Sequence, residues 1–377
     1  MTEFEPLGVL EFTGKGAGFI RRRQSGYLPS KRDIHVGQKL IQRLGLRTGD
    51  EIAGEYGKPP GRGRSASLRK VTSINGQAPE ECNGRPEFTK LGATHPREPL
   101  HLACGLTRRG QPDPTNRIID LLCPVGKGQR AMIVAPSRTG KTMVLQAVAE
   151  GVVKNHPDTT LFILLVDERP EEVTEMEICG FGEVIASSFD YPAVRHIGVA
   201  ELTLERARRR VEMGQDVVII LDSITRLARA YNTVVQGTGR TLTGGLDASS
   251  MEEPKRFLGS ARNIDPAKGG GSLTIVGTAL IDTGSRMDTV IFEEFKGTGN
   301  SELVLSRELA DRRIFPAIDL NASSTRREEL LLNDEELQVS HALRSRLARQ
   351  TPIDAMNDLL GLMRRSESLD ELAKQVS

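Results

Sequence analysis

The chain has few cysteines, and nothing in their spacing pairs them. None of the four stands in a C-x-x-C pattern or beside paired histidines, the arrangements typical of zinc and thiol-redox sites. We therefore expect ordinary reduced thiols, as in cytoplasmic proteins. The four residues are Cys82, Cys104, Cys123 and Cys179.

Long apolar segments are also lacking. No run of about 18 apolar residues occurs, so no membrane-spanning helix is predicted. The amino terminus has no apolar stretch after a basic start, which is the pattern of a secretory signal. We expect a soluble protein that is not secreted, is located in the cytoplasm and has no membrane partner.

An overall excess of charge is absent too, because 51 Lys and Arg stand against 50 Asp and Glu, a net charge of +1. The composition as a whole therefore gives no reason to expect a polyanionic partner. Residues 1–70 differ, since 14 Lys and Arg stand there against 7 Asp and Glu. This local excess makes the segment a candidate nucleic-acid surface, and a solvated basic surface is the alternative.

Residues 1–75 are predicted to form a small β-barrel, because short strand patterns alternate there with turns. Barrels of this kind bind single strands by stacking bases on aromatic rings. Phe12, Phe19 and Tyr27 are the candidate stacking residues, and the alternative is that two of the three fill the barrel core. The strand patterns are LGVLEF, GAGFIRR, DIHVG, DEIAGEYG and ASLRKVTSI, with QKLIQRLGL as a single helix.

The length of 377 residues leaves room for a second domain. Residues 76–114 are rich in proline, glycine and charge, and we expect a connector without a core of its own. Over residues 115–377 nearly unbroken Val, Ile and Leu runs alternate with helical patterns. This α/β pattern predicts a mainly parallel sheet covered on both faces, with its ligand site beyond the carboxyl ends of the strands.

The stretch APSRTGKT, Ala135 to Thr142, departs from the phosphate-loop pattern G-x-x-x-x-G-K-[ST] only at its first residue. An apolar strand pattern precedes it, and a helix comes after it whose Met143, Leu145, Ala147, Val148 and Val152 can line one face. Between a strand and a helix, backbone N–H groups, the helix dipole and one lysine converge on phosphate oxygens. A chance match of a short motif is the alternative.

Two further strand ends carry the acids that nucleotide hydrolysis requires. Lys141 is placed to neutralise β- and γ-phosphate charge and Thr142 to bind Mg²⁺, while VIILDS delivers Asp222 as a second magnesium-linked group. LLVDERPEE brings Asp167 and Glu168 to the same edge, and we choose Glu168 as the base that activates water. The alternatives are a helix cap for Asp222 and a solvated acidic turn for the other two.

Two arginines and two loops are the remaining candidates. A neighbouring subunit can supply an arginine for the developing γ-phosphoryl charge, and Arg313 and Arg326 are the candidates, although surface arginines usually form salt bridges. The loops 236–247 and 281–288 are rich in Gly, Thr and Ser, and carry Arg240 and Arg286. Such loops suit a pore that grips phosphates or 2′-hydroxyls, and plain solvent loops have a similar composition.

With these residues in view, the chain resembles the bacterial transcription termination factor Rho family along nearly its whole length. The stretches that carry the resemblance are GQRAMIVAPSRTGKTMVLQ, VDERPEEVTEM, VIILDSITRLARAYNTVV, LTGGLDA, ALIDTGSRMD, EEFKGTGN and RIFPAID. The family's phosphate loop normally begins with Ala-Pro, which accounts for Ala135.

The resemblance implies a ring-shaped homohexamer of RecA-like P-loop ATPase domains, each preceded by an oligonucleotide-binding (OB or cold-shock-like) barrel. Such proteins bind nascent RNA and pull it through a central pore by ATP hydrolysis with Mg²⁺. They release the transcript and unwind RNA–DNA duplexes. RNA polymerase and its elongation factors are therefore candidate partners.

The resemblance also assigns roles to residues. Glu168 resembles the catalytic base, Arg326 an arginine finger acting across the interface with Arg313 beside it, and the LTGG and DTGSR loops the two RNA-holding pore loops. The implied catalytic residues are Glu168, Arg326, Arg313 and Lys141. The implied ATP-binding residues are Pro136, Ser137, Arg138, Thr139, Gly140, Lys141, Thr142, Met143, Asp222, Arg226 and Phe315, with Thr142 and Asp222 on magnesium. The implied RNA-binding residues are Phe19, Arg21, His35, Arg240, Thr241, Gly244, Thr283, Gly284 and Arg286.

Three positions depart from the family pattern. Ala17 stands where a phenylalanine is usual and His35 where a tyrosine is usual, so less aromatic area is available for stacking. Each lost stacking partner costs about 1–3 kcal/mol per base. Arg286 replaces a pore lysine, which keeps the charge and changes its hydrogen-bonding geometry.

Two other functions remain open on the sequence. One is a rotary or secretion-type ATPase ring that shares the RecA-like core, against which the basic barrel and the two pore-loop sequences stand. The other is an RNA-binding assembly that uses ATP only to oligomerise. Hydrolysis stimulated by single-stranded RNA separates the termination factor from both.

Overall fold

The computed structural model describes residues 5–14, 16–59, 61, 65–108, 110–234 and 241–376. Five short strands near the amino terminus close into a barrel, in the order β1-β2-β3-β5-β4. This confirms the barrel and its single helix. The elements are β1 Gly8–Thr13, β2 Ala17–Arg21, β3 Ile34–Val36, α1 Gln38–Leu44, β4 Glu51–Tyr56 and β5 Ala66–Ile74.

The barrel core consists of the inward residues of these strands, among them Leu10, Ile20 and Ile34, all 0% exposed. Alternation along each strand places the remaining side chains outside. Cys82 packs into the same cluster, so the apolar contacts of the barrel extend past its last strand.

Apolar side chains of residues 76–114 pack on both neighbouring parts of the chain, with Cys82 in the barrel cluster and Phe88, Leu100 and Leu102 in the clusters of the large sheet. Phe88, Leu100 and Leu102 are at most 2% exposed. The carboxylate of Asp120 accepts hydrogen bonds from the backbone N–H groups of Leu102 and Ala103 at 2.8–3.0 Å. The short strands here are β6 Ala93–Thr94, β7 Thr107–Arg108 and β8 Gln111–Pro112.

Nine strands form the large sheet of the second half, with the path β11-β10-β12-β16-β9-β17-β18 and with β15 and β6 attached to it. The strands from β11 to β17 along this path are parallel. The strands after β8 are β9 Arg130–Pro136, β10 Thr160–Glu168, β11 Glu183–Ser188, β12 Asp216–Asp222, β13 Thr241–Leu242, β14 Leu246–Asp247, β15 Arg262–Ile264, β16 Ser272–Ile281, β17 Ser301–Val304 and β18 Ser324–Thr325.

Helices cover both faces of this sheet, as predicted. Alternate residues of one strand enter different cores: Ile163 packs on one face and Phe162 and Leu164 on the other. The helices are α2 Thr115–Leu122, α3 Lys141–Asn155, α4 Pro170–Cys179, α5 Ala193–Val211, α6 Ile224–Val234, α7 Glu252–Gly259, α8 Arg286–Lys296, α9 Arg307–Asp311, α10 Asp334–Leu347, α11 Pro352–Arg365 and α12 Leu369–Val376.

The buried face of α3 matches the prediction at Leu145, Ala147, Val148 and Val152 but differs elsewhere, since Ala149 and Gly151 are buried as well. Val144 is buried there, whereas Met143 is half-buried and lies in a pocket beside the phosphate loop. Among the described helices, none is both long enough and apolar enough to cross a membrane.

One buried arginine joins the barrel to the large sheet. Arg206 on α5 lies between the rings of Tyr27 and Phe162, with its guanidinium carbon 4.7 and 4.6 Å from their centroids. The same guanidinium pairs with Glu183 at 2.8 Å and with Glu51 of the barrel at 3.0 Å. The prediction that Tyr27 stacks on bases is therefore wrong, because its ring is buried and its hydroxyl donates to Glu183.

A second set of charges lies at the same junction. The buried carboxylate of Glu212, just after α5, pairs with Arg47 at 2.8 Å and accepts the backbone N–H of Phe88 at 2.8 Å. Arg85 pairs with Asp50 of the barrel at 2.5 Å. Arg209 of α5 pairs with the same Glu212 carboxylate at 3.0 Å.

We expect Arg206→Ala to lower the free energy of unfolding by about 3–5 kcal/mol, because it removes a buried guanidinium that packs between two rings and is the cation paired with the half-buried Glu183. Chemical denaturation of the variant and the parent measures the difference. Arg256→Ala is the control, since its pair with Glu253 is exposed and should be worth less than about 1 kcal/mol. Equal effects of the two substitutions would contradict the assigned role of Arg206.

Candidate active site

The phosphate loop connects the end of β9 at Pro136 to the start of α3 at Lys141. Ala135 is a buried strand residue without a positive φ, so the missing glycine carries no conformational cost. Gly140 does need to be glycine, with φ 84° and the ring of Phe315 3.2 Å from where a Cβ would lie. Thr139 donates to the Pro136 carbonyl at 2.8 Å and closes the loop. Ser137 and Arg138 are exposed.

Lys141 lies among the acids of two neighbouring strands. Its ammonium group donates to both carboxylate oxygens of Asp222 and, at 3.2 Å, to Glu168. Thr278 of β16 donates to Asp222 at 2.7 Å. Burial by itself lowers the pKa of Lys141, but the two carboxylates outweigh it and raise that pKa above its usual value. Three groups predicted from separate motifs therefore form one buried cluster.

The structure distinguishes the two acids at the end of β10. Glu168 is buried, with 2% exposure, and pairs with Lys141, whereas the Asp167 side chain is 32% exposed and pairs with Arg226. Burial raises the pKa of Glu168, the nearby Asp222 raises it further, and Lys141 and Arg226 oppose the shift. A carboxylate with a raised pKa is a better proton acceptor than a solvated one. The choice of Glu168 as base stays a prediction with this support.

A divalent cation fits the carboxylates here. Oxygens of Glu168, Glu172 and Asp222 lie within 4.8 Å of one another, and Glu168 Oε2 is buried without a hydrogen-bond partner in the described residues. Carboxylate oxygens are the ligands that Mg²⁺ prefers. Thr142, the other predicted ligand, is half-buried in the first turn of α3, next to Lys141. Glu172 was missed, although the acidic run after β10 contains it.

A pocket beside the loop contains several of the implied ATP-binding residues. Met143 and Phe315 line it together with Thr139 and Gly140. Arg108, which sequence reasoning missed, also lines the pocket and donates to the Met143 carbonyl at 3.1 Å. An aromatic ring and a thioether next to a phosphate loop suit a planar base.

Arg226 bridges the two acids at the end of β10. It donates to the Asp167 carbonyl and lies 3.5 Å from both Asp167 Oδ2 and Glu168 Oε2. Arg226, one of the implied ATP-binding residues, therefore lies at the site, where it contacts Asp167 and Glu168.

Arg326 and Arg313 are both exposed, and neither has an ion-pair partner in the described part of the chain. Arg326 comes directly after β18, where Thr325 is level with Ala131 at the amino end of β9. The phosphate loop lies at the other end of β9, about 17 Å away at 3.3 Å per residue. Arg326 is therefore remote from the Lys141 of its own chain. Arg313, with φ 61°, is two residues from Phe315 and close to the pocket.

The barrel presents an aromatic pair on its outer surface. Phe19 and His35 are opposite each other on β2 and β3, with ring centroids 5.6 Å apart in an edge-to-face arrangement. Arg21 is 7% exposed and pairs with Glu11 and Asp33 at 2.5 Å each. Its charge is therefore paired within the barrel, and its guanidinium carbon lies 5.5 Å from the Phe19 centroid. A contact of Arg21 with RNA stays a prediction.

Of the three barrel aromatics, Phe12 is 43% exposed, Phe19 is half-buried and only Tyr27 is buried. None of the three fills the centre of the barrel, which differs from the alternative given for two of them.

The two predicted pore loops are neighbours. Gly244 lies in the turn of the β13–β14 hairpin, with φ 84°, and a Cβ there would lie 2.8 Å from the Met287 nitrogen. Thr283 donates to the buried Asp288 at 2.5 Å, and Arg229 pairs with the same carboxylate. Gly284 and Arg286 are exposed. Arg240 lies outside the described residues, and Thr241 is described only as part of β13.

Two family models match two successive parts of the chain. Residues 7–80 match the Rho termination factor RNA-binding domain. Residues 115–325 match the nucleotide-binding domain of the ATP synthase alpha/beta family. The boundaries of these matches agree with a barrel followed by an ATPase domain.

Curated relatives cover nearly the whole chain. A protein from Escherichia coli K12 named transcription termination factor Rho is 51% identical over 365 residues, which are 97% of this chain and 86% of the relative. A protein of the same name from Gemmatimonas aurantiaca is 53% identical over 358 residues, 95% of this chain. The match covers 48% of that relative, so the chain spans about half its length.

Solved structures share the fold. The assembled ATPase of the type III secretion system of enteropathogenic E. coli matches with a TM-score of 0.60 over 98% of this chain and 100% of that one, at 19% identity. The second half therefore has the RecA-like fold of such ATPases. Together with the barrel, the matched families and the identity to named relatives, this shows that the chain belongs to the transcription termination factor Rho family.

Proposed function

We propose that the protein is an ATP-dependent RNA translocase and RNA–DNA helicase that terminates transcription by pulling nascent RNA. The observation that carries the proposal is the cluster of Lys141 with the buried carboxylates of Asp222 and Glu168, on the same chain as a half-buried aromatic pair at the barrel surface. The first is suited to phosphoryl transfer and the second to stacking on bases. Residues 1–75 would bind RNA, 76–114 connect, and 115–377 hydrolyse ATP.

The hydrolytic step uses groups at three strand ends. The phosphate-loop N–H groups and Lys141 hold the β- and γ-phosphates, and the Met143–Phe315 pocket holds adenine. Glu168 takes a proton from water as the water oxygen bonds to the γ-phosphorus and the bond to the β-γ bridging oxygen breaks. Thr142 and Asp222 would hold Mg²⁺, with Glu168 and Glu172 close by. Bound Mg²⁺ would neutralise charge that develops on the phosphate oxygens.

A second copy of the chain is needed to complete this site. Arg326 is at the far end of β9 from its own phosphate loop and has a free guanidinium within the described residues. In a homohexameric ring it would face the nucleotide of the adjacent subunit and stabilise the γ-phosphoryl charge, with Arg313 beside the same pocket.

RNA would contact the chain at two places. Phe19 and His35 would stack on bases at the barrel. Because position 17 is alanine and not an aromatic residue, the aromatic area available for stacking is smaller. The adjoining loops with Gly244, Thr283, Gly284 and Arg286, together with Arg240 and Thr241, would grip the strand in the pore. RNA polymerase and its elongation factors are proposed partners, and the cytoplasm is the proposed location.

We expect Glu168→Gln to retain ATP binding and to lose about 10²–10⁴-fold in hydrolysis, because the amide cannot accept the proton of water. Unwinding of an RNA–DNA duplex with a single-stranded RNA tail should stop with it. Equilibrium binding of a fluorescent ATP analogue, steady-state turnover and strand release measure the three properties. Loss of nucleotide binding, or unwinding at the parent rate, would refute the role of Glu168.

We expect Arg326→Ala alone to reduce hydrolysis by about 100-fold or more, with nucleotide binding retained. A mixture of Arg326→Ala and Glu168→Gln subunits should recover turnover, because an intact Glu168 then meets an intact Arg326 across an interface. Turnover of mixed and unmixed samples at equal total protein gives the answer. A mixture as inactive as its components would place Arg326 in the site of its own chain and contradict the proposal.

A further inference from the structure

A buried histidine next to the catalytic acids has no part in the mechanism above. His196, in the first turn of α5, is 5% exposed. Its Nδ1 lies 2.7 Å from the hydroxyl oxygen of Ser187, which is fully buried on β11. Its Nε2 lies 3.9 Å from Oδ1 of Asp167. This last separation exceeds that of a direct hydrogen bond.

Asp167 is the irregular residue of β10. Val166 pairs with Ser187 and Glu168 pairs with Ser188, so Asp167 has no partner on β11 and forms a bulge. Its φ is 56°, in the left-handed region that costs a non-glycine residue about 1–3 kcal/mol. Surrounding contacts must hold such a conformation in place.

The bulge sets the direction of the next side chain. In a regular strand, successive side chains alternate between the faces, and an extra residue breaks that alternation and re-aims the side chain after it. The residue after the bulge is Glu168, whose carboxylate lies 3.2 Å from Lys141. The conformation of Asp167 therefore determines whether Glu168 points into the site.

Two groups hold the Asp167 carboxylate from different sides. Arg226 lies 3.5 Å from Oδ2 and also binds the Asp167 carbonyl, while His196 approaches Oδ1. Ser187, which fixes the imidazole, pairs with the residue just before the bulge. His196 thereby connects three elements, β10, β11 and α5, at one point.

We infer that His196, fixed by Ser187, is a positioning residue that holds the bulge at Asp167 and so aims Glu168 at the attacking water. The inference rests on the proposed ATPase function. A positioning role differs from a packing role in its expected effects. Loss of the polar contact of the imidazole should lower ATP turnover more than it lowers stability or nucleotide binding.

The test compares two substitutions of the same residue. His196→Phe keeps a ring of similar size and removes both nitrogens, and His196→Gln keeps an amide that can reach toward Asp167. We expect His196→Phe to lower kcat for RNA-stimulated ATP hydrolysis by about 10–100-fold, the cost of a misplaced catalytic group. The dissociation constant for ADP should stay within about twofold of the parent value, and His196→Gln should regain most of the loss.

A double-substitution cycle separates positioning from general damage. Asp167→Asn changes a part-exposed residue and should also lower kcat. If both residues act through one contact, the double variant should be no slower than the slower single variant, within about twofold. His156→Phe is the control, because His156 is half-buried after the far end of α3 and should leave kcat unchanged.

Several outcomes overturn the inference. The first is a kcat for His196→Phe equal to that of the parent. The second is a loss of ADP binding and thermal stability in His196→Phe as large as its loss of kcat. The third is a double variant whose loss of kcat is the product of the losses in the two single variants. If the parent protein itself shows no ATP turnover, the proposed function fails and the inference falls with it. If the parent protein hydrolyses ATP and His196→Phe does so with the same kcat, only the inference fails.

Discussion

One half-buried cation, Lys141, held between two buried carboxylates is the constraint on which the site depends. Lys141, Asp222 and Glu168 come from β9, β12 and β10 or the turns directly after them, and a parallel sheet brings these carboxyl ends to one edge. Charges removed from water must be paired, or each costs several kcal/mol. Removal of any one of the three charges would therefore leave the others without their partner. The apolar strands place the three groups close together.

The same electrostatic requirement joins the two halves of the chain. Arg206 is paired by Glu183 of the large sheet and Glu51 of the barrel, and two aromatic rings cover its faces. The barrel is thereby fixed against α5, the helix that carries His196 in its first turn. Arg326 shows the converse, because it is exposed and lies at the other end of β9 from its own phosphate loop, and we propose that it acts on the nucleotide of an adjacent subunit.

Sequence periodicity and motif spacing were sufficient to predict the barrel, the covered parallel sheet, the phosphate loop and the presence of Asp222 and Glu168 at its edge. They failed where a side chain's partner is far away in the chain. Tyr27 is an aromatic residue of the kind that stacks on bases, yet its hydroxyl donates to Glu183, which is 156 residues away in the chain. The bulge at Asp167 and the closeness of Glu172 depend on strand register and loop geometry, which single-sequence patterns do not encode.

The central claim is that RNA drives ATP hydrolysis by this chain. Its most direct test is steady-state ATP turnover by the purified protein, alone, with a long cytidine-rich RNA, and with the same sequence as duplex DNA. We predict strong stimulation by the RNA and none by the duplex, which would also establish that Ala17 and His35 leave the barrel competent. Turnover that is equal in all three samples, or absent from all three, would contradict the account.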